Sequence, residues 1–123
     1  MARTICLDFD GVLNDYTGWK GPDHLGKPLP GARVFLEELL DTGWSVVIHS
    51  TRDAAGIAAW LQEHDLFPQH VQVVDRKPPA MVYLDDRGIT FTGDYAAALD
   101  AIEGFRAWWE APASDGGVGQ VKP

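Results

Sequence analysis

The sequence predicts an α/β fold: a three-layer, doubly wound, mostly parallel sheet without a substantial cap domain. Three observations predict it. Short apolar runs rich in β-branched residues alternate with stretches of helical periodicity, the pattern of parallel strands joined by crossover helices. The runs end in clusters of polar residues instead of alternating with them, as strands buried on both faces do. The length of 123 residues suits one domain with one core.

Thr4-Ile5-Cys6-Leu7 is the first strand and stops at Asp8-Phe9-Asp10-Gly11. A loop follows over residues 12–30, punctuated by Gly18, Gly21, Pro22, Gly26, Pro28 and Pro30. Tyr16, Trp19 and His24 within it mark it as more than a linker. Pro30-Gly31 opens a helix with an apolar face of Val34, Phe35, Leu36, Leu39 and Leu40, and Gly43 stops it. Trp44–Ile48 is the second strand, ending at His49-Ser50-Thr51-Arg52-Asp53. A second helix over 54–65 turns Ile57, Trp60 and Leu61 inward.

Val71–Val74 is the third strand. Pro78-Pro79 forces a loop after it. Ala80–Leu84 is the fourth strand and stops at Asp85-Asp86-Arg87-Gly88. Ile89–Phe91 is read as a short fifth strand. Residues 95–109 are read as a terminal helix carrying Leu99, Ile102, Phe105 and Trp109. The domain is expected over 1–110, with a flexible polar tail over 111–123.

The bulk numbers narrow the function classes. A net charge of −8 disfavours broad nucleic-acid binding. No apolar run approaches the roughly 20 residues of a membrane span, so no membrane role is expected. The lone cysteine, Cys6, sits in an apolar strand and reads as a buried core thiol. It favours a reducing, cytoplasmic setting.

Position carries the functional argument. In an open α/β sheet, ligands bind beyond the carboxyl ends of the strands. Those ends here deliver Asp8 and Asp10, Ser50 and Thr51, Lys77, then Asp85 and Asp86. Clustered carboxylates repel unless a cation joins them, and hard oxygen ligands suit magnesium. A remaining aspartate can attack phosphorus, while Lys77 and Ser50 hold the transferring oxygens. Gly11 leaves room for backbone N–H groups to approach a phosphate.

Four segments, in order, resemble the motifs of the haloacid dehalogenase superfamily. Asp8-Phe9-Asp10-Gly11-Val12-Leu13 resembles the first, Val46–Ser50 the second, Lys77 the third and Val82–Asp86 the fourth. The resemblance covers about residues 3–110. It implies a Rossmann-like core with Asp8 as nucleophile and metal ligand. Asp10 would be general acid/base, with its carbonyl on the metal. Ser50 and Lys77 would hold the phosphoryl group, and Asp85 and Asp86 would complete the Mg2+ site. An aspartate at position 10 resembles the phosphatase and phosphotransferase branch. Thr51 is the alternative to Ser50, and Arg76 to Lys77. The gaps between motifs leave no room for a cap, so selection of a substrate falls to the loop, with Tyr16, Trp19 and Arg52 as candidate contacts, or to a second subunit in a homodimer.

The expected substrate is a small phosphorylated molecule; a nucleic-acid end fits an open site but not the charge. Two other readings compete. One is a catalytically idle scaffold of the same family. The other is a phospho-receiver signalling domain, although a receiver places its phosphorylated aspartate after strand three.

Overall fold

The computed structural model describes residues 3–110. Those up to Asp85 form one compact unit and those from Asp86 onward form another. The tail expected over 111–123 lies outside the described residues.

In the first unit, β1 (Arg3–Leu7), β2 (Trp44–His49), β3 (Val71–Val74) and β4 (Val82–Leu84) form one sheet in the order β3-β2-β1-β4. Every pairing is parallel. The chain steps outward from β1 to β3, then returns to the far side of β1 to lay down β4. The sheet is therefore wound in two directions, with the reversal between β1 and β4. Such a reversal opens a crevice at the carboxyl edge, where the polar strand ends lie.

Register explains the core. Ile5, Val46 and Val71 stand level across three strands, and Leu7, Ile48 and Val73 form the next row. Successive side chains on a strand alternate faces, so both rows point the same way. They meet Leu36 of α1 (Ala32–Asp41) and Ile57, Trp60 and Leu61 of α2 (Ala54–Glu63) in one apolar cluster. Phe9 and Leu13 join that cluster, which pins the chain immediately after β1. The rings of Phe9 and Trp60 meet edge to face at 4.8 Å.

Several boundaries differ from the sequence reading. The apolar face of α1 is narrower than expected: Leu36 is buried, whereas Val34 is 65% exposed. Asp53 caps α2 by accepting from the Gly56 N–H at 3.1 Å, and the helix stops at Glu63. β4 begins at Val82, two residues later than expected, and just ahead of it the Met81 N–H donates to the Thr4 carbonyl at 2.9 Å.

In the second unit, residues 89–91 form no strand. The helix there, α3, runs Tyr95–Glu103 and stops at Gly104, not at Trp109. Asp94 starts it, its Oδ1 accepting from the Ala96 and Ala97 N–H groups at 2.9 and 3.2 Å. Leu99 and Ile102, which share helical spacing, are exposed. Trp108 and Trp109 lie in a turn beyond the helix.

Among the described residues no cap domain is evident, and no helix is long and apolar enough to cross a membrane.

Candidate functional site

A small cleft opens at the carboxyl ends of the strands. It is lined by Asp8, His49, Lys77, Tyr83 and Asp85 over a floor of Cys6, Leu7 and Leu84. Asp8 is fixed at both ends of its residue. Its backbone N–H donates to the Leu84 carbonyl at 2.9 Å, extending the β1–β4 pairing by one step. Its Oδ1 accepts from the Phe9 N–H at 2.8 Å. Carboxylate oxygens of Asp8 and Asp85 lie within 4.8 Å of each other.

Lys77 reaches this cleft from the loop after β3, while the adjacent Arg76 is not part of its lining. The Lys77 ammonium stands 4.5 Å from the centre of the Tyr83 ring, a cation–π contact. The Tyr83 hydroxyl donates to the Pro78 carbonyl at 2.6 Å, which ties the same loop to β4. Tyr83 was not a sequence candidate. Its signal was its place two residues before Asp85, where alternation turns it to the face opposite Val82 and Leu84.

Cys6 is buried as expected. Burial pushes its thiol above the ordinary value of 9.0, with the Lys77 charge pulling the other way less strongly.

Asp10 points elsewhere. Gly11 sits at a φ of 82° and starts a tight turn in which the Leu13 and Asn14 N–H groups both donate to the Phe9 carbonyl at 3.0 Å. A side chain at position 11 would strain that turn. The turn brings Asn14 back over Asp10, where its Nδ2 donates to Asp10 Oδ1 at 2.9 Å. The other oxygen, Oδ2, accepts from Arg52 Nε at 2.8 Å. Asn14 was missed by sequence reasoning although it is only 1% exposed. A buried amide four residues after an aspartate was the available clue.

Arg52 is built into the structure instead of reaching for a ligand. Its side chain is 3% exposed, against 19% for Asp10. Its Nη1 donates to the Pro22 carbonyl at 3.1 Å and the Gly21 carbonyl at 3.4 Å. Its guanidinium carbon stands 4.8 Å from the centre of the Trp19 ring. Trp19 itself remains 60% exposed, and Tyr16 is half-buried. The loop is thus folded down, its base closed by Asp15 N–H to Lys27 O and Leu29 N–H to Leu13 O, both 2.8 Å.

Ser50 is buried, and its Oγ accepts from the Arg52 N–H at 3.1 Å. It does not line the cleft, and Thr51 beside it is exposed. Asp86 follows Asp85 as the first residue of the second unit, where its Oδ2 accepts from the Trp109 indole N–H at 2.5 Å. The Arg87 guanidinium stacks 5.0 Å from the same Trp109 ring.

One solved structure shares this architecture. It is a protein from Bacteroides thetaiotaomicron described only as conserved, superposing with a TM-score of 0.54 over 84% of this chain and 91% of that one. At 20% identity the likeness concerns the fold alone. No protein-family model and no curated protein matches the chain. The chemistry therefore rests on the residues themselves.

That chemistry is oxygen-rich. Asp8 and Asp85 offer hard carboxylate ligands on one side of the cleft, and Lys77 offers a positive charge. A magnesium ion binds oxygens at about 2.0–2.1 Å, so ligands across it stand about 4 Å apart. A separation within 4.8 Å reaches that span with small side-chain rotations.

Proposed function

We propose that this protein is a magnesium-dependent phosphomonoester hydrolase that works through an aspartyl-phosphate on Asp8. The observation carrying the reading is the meeting of Asp8, Lys77 and Asp85 in one cleft beyond the ends of β1, β3 and β4. The four-motif resemblance to the haloacid dehalogenase superfamily supports it.

Asp8 begins as a carboxylate whose Oδ1 is already engaged by a backbone N–H. Its other oxygen attacks phosphorus, and the bond from phosphorus to the ester oxygen breaks. In the acid/base role that the resemblance implies, Asp10 would first exchange its contact with Asn14 or Arg52 for a proton and then pass that proton to the departing oxygen. Asp10 then takes a proton from water as that water attacks phosphorus, which releases inorganic phosphate and restores Asp8. Lys77 offsets the charge on the equatorial oxygens during both transfers. Ser50 is proposed as a further donor to those oxygens. Asp8, Asp85 and the Asp10 carbonyl would hold the magnesium ion, which would supply charge neutralisation of the phosphate and carboxylates when bound.

The natural substrate is proposed to be a small phosphorylated molecule. The 15–27 loop, carrying the exposed Trp19, lies on the side of Asp10 and would contact its leaving group.

The test compares wild type with Asp8→Asn on p-nitrophenyl phosphate, with magnesium and with chelator. The variant keeps the shape and removes the nucleophilic charge. Turnover by wild type with magnesium alone, absent in the variant, supports the reading. An inert wild type that also fails to bind magnesium overturns it.

A further inference from the structure

Arg52 makes more contacts than an ion pair requires. One planar cation joins three places: the chain just past β2, the Asp10 carboxylate, and the crest of the 15–27 loop. Its Nε is used on Asp10 at 2.8 Å, its Nη1 on Pro22 and Gly21, and its face on Trp19. The Ser50 Oγ fixes its own backbone N–H at 3.1 Å. Only a guanidinium offers an in-plane fork and a flat face together.

The loop crest gains much from this. Thr17, Trp19, Lys20, Pro22, Asp23 and His24 are all exposed, and the backbone bond within the crest runs from the His24 N–H to the Gly21 carbonyl at 3.3 Å. The base of the loop is closed separately, by Asp15, Lys27, Leu13 and Leu29. Arg52 therefore acts on the crest, beyond that closure.

We propose that Arg52 is a positioning residue that couples the seating of the 15–27 loop to the orientation of the Asp10 carboxylate. This deepens the reading of Asp10 as the acid/base and rests on it. Seating the loop holds Arg52, and Arg52 with Asn14 holds both oxygens of Asp10. A change at Asp10 is consequently felt at the crest, ten residues along the chain and outside hydrogen-bond reach.

Limited trypsin digestion reads the crest directly. Lys20 is exposed and precedes Gly21, whose carbonyl Arg52 holds. Lys27 precedes Pro28, a bond trypsin leaves alone. Lys20–Gly21 is thus the one tryptic bond of the loop. Arg52→Gln is expected to speed cleavage there by about tenfold or more, since cleavage follows the open population. Asp10→Asn, which keeps size and leaves Arg52 in place, is expected to speed the same cleavage, more weakly. An Arg52 that seats the crest independently of Asp10 would leave Asp10→Asn at the wild-type rate, and that result overturns the proposal.

If Arg52→Gln unfolds, cleavage spreads over the Lys and Arg residues that no proline follows, and Asp10→Asn alone decides. Selective cutting at Lys20–Gly21 in that variant supports the coupling, and unchanged cutting overturns it. Digestion needs no substrate, so a wild type that is inert and fails to bind magnesium refutes the phosphatase reading without silencing this test.

Discussion

Arg52 Nε and Asp10 Oδ2 meet at 2.8 Å across 42 residues of sequence, at a site where the arginine side chain is nearly buried. The pair does two things at once. It fixes the aspartate two residues beyond the proposed nucleophile, and it closes the loop after β1 onto the chain after β2. Asp10 is consequently not a side chain waiting in solvent. The Asn14 amide and the Arg52 guanidinium hold its two oxygens from two directions. Asp10 is 19% exposed, so removing one member costs less than the about 3–5 kcal/mol typical of a fully buried pair.

The base of the loop offers a sharper stability test. A Cβ on Gly26 would stand 2.6 Å from the Asp15 carbonyl oxygen and 3.1 Å from Asn14 Oδ1. The first of these is backbone and cannot swing aside. The Gly26 carbonyl also accepts from the Trp60 indole N–H at 2.9 Å, which ties the loop to α2. Gly26→Ala should destabilise the fold by about 1–3 kcal/mol, the usual range for overpacking. Urea unfolding checks it: the midpoint should fall with an unchanged slope. A midpoint equal to wild type would show that the loop base shifts freely.

Much of this architecture was legible in the sequence. The strands were readable because parallel sheets bury both faces, so Ile5–Leu7 and Val46–Ile48 appear as unbroken apolar runs. Helix α2 was readable because Asp53 caps it and Ile57, Trp60 and Leu61 share a face. Residues 89–91 misled, since three apolar or β-branched residues suit a strand but pairing needs a free neighbour. The gathering of Asp8, Lys77 and Asp85 followed from strand-end position alone. The hold of Arg52 and Asn14 on Asp10 did not, because it depends on how one irregular loop folds. Loop conformation is set by scattered hydrogen bonds, such as Trp60 to Gly26, that leave no periodic trace.

Trp19 should discriminate between leaving groups. Arg52 stands over its ring and Trp19 is 60% exposed, so indole surface is open next to the guanidinium that holds Asp10. Stacking on such a face is worth about 1–3 kcal/mol. Trp19→Ala should raise KM for p-nitrophenyl phosphate by about tenfold. KM for glycerol phosphate, which has no ring, should change little. Equal changes for both substrates would remove Trp19 from leaving-group recognition.

Lys77 and Asp85 should separate kinetically although they share the cleft. Lys77 acts on the phosphoryl oxygens, so Lys77→Met should lower kcat by about 10²–10³, with the magnesium requirement unchanged. Asp85 stands within 4.8 Å of Asp8 as a proposed ligand. Asp85→Asn should raise the magnesium concentration for half-maximal activity by at least about tenfold. Excess magnesium should restore much of that loss and none of the loss at Lys77. Activity titrated against magnesium for both variants checks the split. Two variants with the same magnesium dependence would contradict these separate roles.

Cys6 reports on the floor of the cleft without any substrate. It pairs across the sheet with Val47 and Tyr83, and it is buried. Burial raises its thiol above 9.0 by disfavouring the thiolate, so at pH 8 the reactive form is scarcer than for an exposed cysteine. The sign for stability follows from the raised value. The contribution is fully present below 9.0 and is lost as pH rises through the folded-state value. Labelling by a thiol reagent at pH 8 should be slower by about 100-fold or more in the native protein than in urea, since it waits for opening. The rate should climb steeply across the unfolding transition. Rapid, stoichiometric labelling of the native protein would mean that the edge between β1 and β4 opens far more readily than its pairing implies.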